Sequence, residues 1–216
     1  MGVCTLGYRN DFRRKCVCMK MNLPNKLTII RICMVPVFMI FLVAPIPMGT
    51  NLRLIISAAI FVIASLTDML DGKIARARGL ITDFGKFMDP LADKFLVFGA
   101  LLGILVNDTF ASVRPVFIWA ATIVMFRELA VTSLRLVIAG KDGLVIAASW
   151  LGKVKTTTQI VCICCMLLEP VLFGGIDFFV RYKPLTWVTM AAMIIMTLWS
   201  GIDYIKTYWQ FIDPEK

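Results

Sequence analysis

Apolar residues run along this chain in long stretches, and charged residues break into them at one end more than the other. A membrane-crossing helix needs about 20 mostly apolar residues. By that measure six segments read as helices: 27–44, 54–67, 87–106, 115–139, 156–168 with a turn or two borrowed from 147 onward, and 184–202. Only the last is plain. The first contains Arg31, the second runs into Asp68 and Asp71, the third opens on Asp89, Asp93 and Lys94, and the fourth holds Arg127, Glu128 and Arg135. Ionisable groups at membrane depth are costly and face a bundle interior or a watery cavity. The pattern predicts an all-α polytopic membrane protein, with six transmembrane helices around a polar cavity open to one side.

Composition supports that class. Of 216 residues, 59% are hydrophobic and 17% charged, with a mean hydropathy of +0.83. Soluble domains carry about 25% charged residues, so this chain is too apolar for a single water-facing core. Its length fits one domain, over residues 22–216. Residues 1–21 are expected to be a disordered basic extension, carrying Arg9, Arg13, Arg14, Lys15 and Lys20 against Asp11 alone. No small-residue cleavage site follows them, and Leu6 stands where a myristoylation signal needs Ser or Thr.

The net charge is +9. In a membrane protein such an excess records topology and contact with anionic lipid, not nucleic acid. One set of loops holds only Arg53, Arg114, Arg181 and Lys183, while Arg31, Lys94 and Arg127 are embedded. The other basic residues lie on the side of both termini. The positive-inside rule makes that side cytoplasmic, so the cavity is expected to face the cytoplasm from the cell membrane. There is no histidine, and any proton transfer must use Asp, Glu, Lys, Tyr, Cys or water. The seven cysteines lack zinc-site spacing and read as structural or incidental.

The informative stretch is Asp68-x-x-Asp71-Gly72-x-x-Ala75-Arg76, then eight residues, then Gly85-x-x-x-Asp89-x-x-x-Asp93. Residues three or four apart share a helix face, so each aspartate pair projects from one side of its helix. A short connection lets the pairs converge. Four carboxylates gathered in a half-buried place repel unless cations neutralise them. Oxygen ligands alone favour Mg²⁺ or Mn²⁺, and two such ions about 3.5–4 Å apart suit displacement at phosphorus. Gly72, Ala75 and Gly85 are small, as needed where a ligand nears the backbone or helices pack closely. Helix capping by Asp89 ahead of Pro90, or boundary pairing of Asp68 and Asp71 with Arg76 and Lys73, accounts for single members of the set but not for all four.

This string resembles the signature of the CDP-alcohol phosphatidyltransferase family at all eight specified positions. The resemblance implies six transmembrane helices and transfer of a phosphatidyl group from a CDP-linked lipid to an alcohol, with release of CMP. It implies that Asp68, Asp71, Asp89 and Asp93 bind two divalent metals and that Asp93 takes the proton of the acceptor hydroxyl. Gly72, Arg76 and Thr82 correspond to positions that hold the cytidine nucleotide or its phosphates, and Asn25 and Thr28 to another part of that pocket.

Basic residues within 125–135 and 149–156 bear on the acceptor. Embedded Arg and Lys without a matching excess of acids suggest a bound anion, and Arg is suited to phosphate. These segments, with 22–31, are similar to the branch of the family whose acceptor is sn-glycerol 3-phosphate. The phosphate is then met by Arg127, Arg135, Lys153 and Lys155. Arg127 and Arg135 are two turns apart, about 12 Å along an ideal helix, so they need not touch the same oxygen. The resemblance also allows a homodimer. Other acceptors (inositol phosphate, serine, a cardiolipin-type substrate) leave the reaction class unchanged. A transporter with an acidic ion site is the rival from another class, although no second copy of the acidic motif suggests an internal repeat. A metal-binding structural protein explains the carboxylates but not the embedded arginines.

Overall fold

The computed structural model describes residues 23–78, 83–142 and 150–209, without the side chains of 23–27, 68–78, 83–90, 93, 136–137 and 139–142. Among the described residues every regular element is helical. The long helices are α1 (Leu23–Val43), α2 (Thr50–Arg78), α3 (Asp83–Val106), α4 (Arg114–Asp142), α5 (Trp150–Leu172) and α7 (Pro184–Tyr208). A six-residue helix, α6 (Asp177–Tyr182), and a 3₁₀ turn over Asp108–Phe110 complete the set.

Local chemistry sets several boundaries. Pro45 and Pro47 stop α1, and the orphaned carbonyls at its end find side-chain donors instead. Arg53 donates to Phe41 O and Leu42 O, both at 3.2 Å, and Asn107 Nδ2 donates to Leu42 O at 2.7 Å. The same Asn107 caps the 3₁₀ turn by accepting from Thr109 N at 2.9 Å. Pro184 begins α7, where a missing N–H costs nothing.

Helix α7 lacks a side-chain cap from its own N-cap residue, Lys183, which sits in the left-handed region at φ 46°. The cap comes from α5. Glu169 is buried, and its two carboxylate oxygens accept from Leu185 N (3.0 Å), Thr186 N (2.8 Å) and Thr186 Oγ1 (2.6 Å). A carboxylate there also complements the positive end of the helix dipole. Lys183 Nζ in turn donates to Thr109 O at 2.9 Å, tying this corner to the turn before α4.

The long helices form a ring. Helix α1 packs against α2 and α3, α2 against α5, α5 against α7, α7 against α4, and α4 against α3. Contacts of α3 with α2 and α5 cross the middle. Helices α1 and α3 approach closely because Gly99 and Gly103 form a small-residue stripe. A Cβ at Gly103 would fall 2.6 Å from Leu42 Cδ2, and one at Gly99 3.0 Å from Val35 Cγ1. Phe38, Phe61, Leu101, Ile104, Phe117, Val124, Ile163 and Met166 belong to one continuous apolar core.

The outside is apolar as well. Trp119, Phe126, Val188 and Trp199 are 70, 74, 68 and 61% exposed, while Arg31, Ser57, Lys155, Gln159 and Thr197 are buried. Polar groups inside and large apolar groups outside fit a lipid solvent. Among the described residues four segments are long and apolar enough to cross a bilayer: Thr50–Thr67, Arg114–Arg135, Trp150–Leu172 and Asp177–Tyr208. Thr28–Val43 and Lys94–Val106 are shorter apolar stretches within α1 and α3. The structure thus supports an all-helical, multi-pass membrane protein.

Glu169→Ala leaves three donors without their acceptor, the two of Thr186 buried, at a cost of about 3 kcal/mol. Glu169→Gln, which keeps one carbonyl acceptor, should cost less. Thermal unfolding in detergent measures both, and a loss under about 0.5 kcal/mol for the alanine variant would show that α7 does not depend on this cap.

Candidate active site

The acidic motif spans the last turns of α2 and the first turns of α3. Helix α2 carries Asp68, Asp71, Gly72, Ala75 and Arg76, and α3 carries Gly85, Asp89 and Asp93. The two helices pack against each other, and four residues join them. The side chains of these eight residues lie outside the described set, as does Thr82 entirely. Asn25 is in the first turn of α1, its side chain likewise outside, and Thr28 follows one turn later, fully buried. Helix α1 packs on both α2 and α3, so three helices that carry the motif residues form one packed unit.

Among the described side chains no three His, Cys, Asp or Glu gather. The described cysteines, Cys33, Cys162, Cys164 and Cys165, are free, and Cys162 lies in the apolar core.

A polar network joins this unit to α4 and α5. Lys94, the residue after Asp93, donates from Nζ to Thr132 Oγ1 on α4. Thr132 Oγ1 donates onward to Glu128 O at 2.7 Å. Lys155 Nζ on α5 donates to Glu128 Oε1, and Arg127 NH1 lies 3.7 Å from that same oxygen. The start of α3, the second half of α4 and the start of α5 therefore meet at one end of the bundle. Acidic and basic residues, separated by dozens of positions in sequence, share that end.

Each basic residue has a distinct setting. Lys155 is buried at 4% exposure, and the Arg127 and Glu128 side chains are each 13% exposed. Arg135 and Lys153 are exposed, nearer the ends of their helices. The structure brings Arg127 and Lys155 together around one carboxylate and leaves Arg135 and Lys153 at the rim. Arg127 leans on α7, where Gly201 makes room: a Cβ there would lie 3.2 Å from Arg127 Cγ. Tyr204 follows one turn later and is buried. Arg127 Nε, Gln159 Nε2, Thr197 Oγ1 and Tyr204 OH are all buried without a hydrogen-bond partner among the described residues. Buried polar atoms in native proteins are nearly always paired, with protein, water or ligand.

Two of these contacts are not legible in the sequence. The embedded cations have no matching excess of acids, yet Glu128, beside Arg127 in the chain, is a counter-charge of Lys155. The link between Lys94 and Thr132 shows only in the packing of α3 on α4.

A multi-pass helical bundle, apolar outside and charged at one interior end, defines the class. The chain belongs to the CDP-alcohol phosphatidyltransferase family, whose profile matches residues 21–199, and is an enzyme of that kind. It is 40% identical over 197 residues to a Bacillus subtilis protein named CDP-diacylglycerol–glycerol-3-phosphate 3-phosphatidyltransferase, covering 88% of this chain and 96% of that one. Proteins of the same name from Salmonella typhimurium and Escherichia coli are 37% and 36% identical over 190 residues, 87% of this chain and 95% of theirs. Membership in an enzyme family sets the transporter reading aside.

Gly201→Val forces the Arg127 stem aside and should cost about 1–3 kcal/mol, as overpacking does. Combined with Arg127→Ala, which removes the clashing atom, it should cost less than the two changes summed. Thermal unfolding of the two single variants and the double variant tests this, and strict additivity would mean that the glycine does not accommodate Arg127.

Proposed function

We propose that this enzyme transfers the phosphatidyl group of CDP-diacylglycerol to sn-glycerol 3-phosphate, forming phosphatidylglycerophosphate and CMP. The observation that carries the reading is its likeness, along most of both chains, to relatives named for that reaction. The site supports it, because a basic pair suited to phosphate adjoins the helices of the acidic motif.

The four motif aspartates fit a pair of hard cations. All their donors are oxygen, and the packed helices present them at spacings of three and four residues. Asp68, Asp71, Asp89 and Asp93 hold two divalent ions, Mg²⁺ or Mn²⁺. When bound, these ions polarise the diphosphate and stabilise the departing CMP. Asn25, Thr28, Gly72, Ala75, Arg76, Thr82 and Gly85 hold the CDP-lipid. Arg127, Arg135, Lys153 and Lys155 receive the acceptor phosphate. Asp93 takes the proton from the acceptor hydroxyl as its oxygen bonds to the phosphorus that bears diacylglycerol. The bond from that phosphorus to the bridging oxygen of CMP breaks. No histidine is required.

The enzymatic domain occupies residues 22–216 and crosses the cell membrane six times, with the active end facing the cytoplasm. Helices α1 and α3, at 21 and 24 residues, are about 31 and 36 Å long, enough to cross a hydrocarbon core of about 30 Å. A homodimer is compatible with the apolar outer face.

In detergent micelles with Mg²⁺ or Mn²⁺, CMP release from CDP-diacylglycerol should require sn-glycerol 3-phosphate. Release with a different alcohol alone would keep the reaction class and replace the acceptor. Asp93→Asn should abolish turnover while metal-dependent CDP-lipid binding persists, and near-normal turnover would remove Asp93 as the base. Arg127→Ala should raise the acceptor KM by about tenfold or more and leave that of the lipid nearly unchanged. Equal effects on both would contradict a role for Arg127 at the phosphate.

A further inference from the structure

Glu128 has no part in the steps above, yet the basic residues converge on it. Its Oε1 accepts from Lys155 Nζ and lies 3.7 Å from Arg127 NH1. Among the described residues α4 and α5 do not pack closely against each other, although they follow one another in the chain. This contact therefore fixes where Lys155 sits relative to Arg127. The backbone of Glu128 is held too, because its carbonyl accepts from Thr132, the hydroxyl that also receives Lys94.

We infer that Glu128 is a positioning residue for the acceptor phosphate, its carboxylate holding Lys155 and Arg127 as a pair of cations across the separation between α4 and α5. The inference rests on the acceptor assignment made above. Two cations brought together inside an apolar bundle repel each other and are costly to desolvate. A carboxylate between them offsets part of that cost. A phosphate monoester arrives with close to two negative charges and more acceptor oxygens than a carboxylate, so it can engage both cations without displacing Glu128 from the set. The guanidinium keeps a donor to spare, since Arg127 Nε is buried without a partner among the described residues.

A merely structural ion pair would affect stability alone. A positioning role acts on the acceptor in protein that is fully folded. Steady-state CMP release by the full chain separates the two, with CDP-diacylglycerol and sn-glycerol 3-phosphate varied independently. Glu128→Gln should raise the acceptor KM by about tenfold or more, leave the lipid KM within roughly twofold, and lower kcat by less than KM rises. Glu128→Asp keeps the charge on a shorter arm and should recover part of the loss. Glu128→Gln combined with Lys155→Gln removes both charges. It should unfold at a temperature nearer that of the unaltered protein while keeping a raised acceptor KM.

An unchanged acceptor KM in folded Glu128→Gln overturns the inference, as does an equal rise in both KM values. A double variant with the unaltered acceptor KM overturns it as well. If Glu128→Gln does not give monodisperse protein, Glu128→Asp carries the test, with a rise of about threefold expected and no rise counting against. Failure of the acceptor reading looks different: the unaltered enzyme then releases no CMP with sn-glycerol 3-phosphate, and the inference falls with it.

Discussion

Burying charge inside a bundle whose outer surface faces lipid is the constraint that organises this molecule. Lys155 and Glu128 meet in the interior, where an unpaired partner of either sign would be strongly destabilising. The surrounding helices accommodate that pair at some expense in packing. Helices α4 and α5 stand apart and are linked through long side chains, whereas α1 and α3 press together over Gly99 and Gly103. Tight apolar packing on one side of the ring and a polar interior on the other are two answers to the same solvent.

The bundle is held differently at its two ends. Near Glu169 every bond serves a helix terminus or a turn, and the carboxylate is saturated by donors of α7. Near Glu128 one carboxylate is shared by two cations, and buried polar atoms of α4, α5 and α7 have no hydrogen-bond partner among the described residues. Full satisfaction suits a fixed joint, and partial satisfaction suits a place that receives a ligand. The same residue type thus does unlike work according to how many donors surround it.

Much of this was legible in the sequence, for identifiable reasons. The acidic motif stood out because eight specified residues recur at fixed spacings, and spacing is a local property. The helices were found, but with shorter bounds. The second was expected over 54–67, and α2 runs over Thr50–Arg78, past Asp68 and Asp71. Hydropathy reports the length a helix offers to lipid, while the backbone ladder continues into polar residues that still favour helix. The roles of Glu169 and Glu128 are not legible there because their partners, Thr186 and Lys155, lie 17 and 27 residues away on other helices. No periodicity within one helix encodes such a pairing. Of the six crossings read from hydropathy, the described residues supply four helices long and apolar enough to span a bilayer, with apolar stretches of α1 and α3 beside them.

The place of α7 in the ring has a consequence for how the protein is made. This helix follows α4 and α5 in the chain but sits between them, and its Gly201 lies against Arg127. A ribosome delivers it only after both have been synthesised. Until then Arg127 lacks the neighbour that helps shield it from lipid. Assembly in the bilayer is therefore gated by α7, and a nascent chain arrested before Pro184 would display buried charge to the quality-control machinery of the membrane.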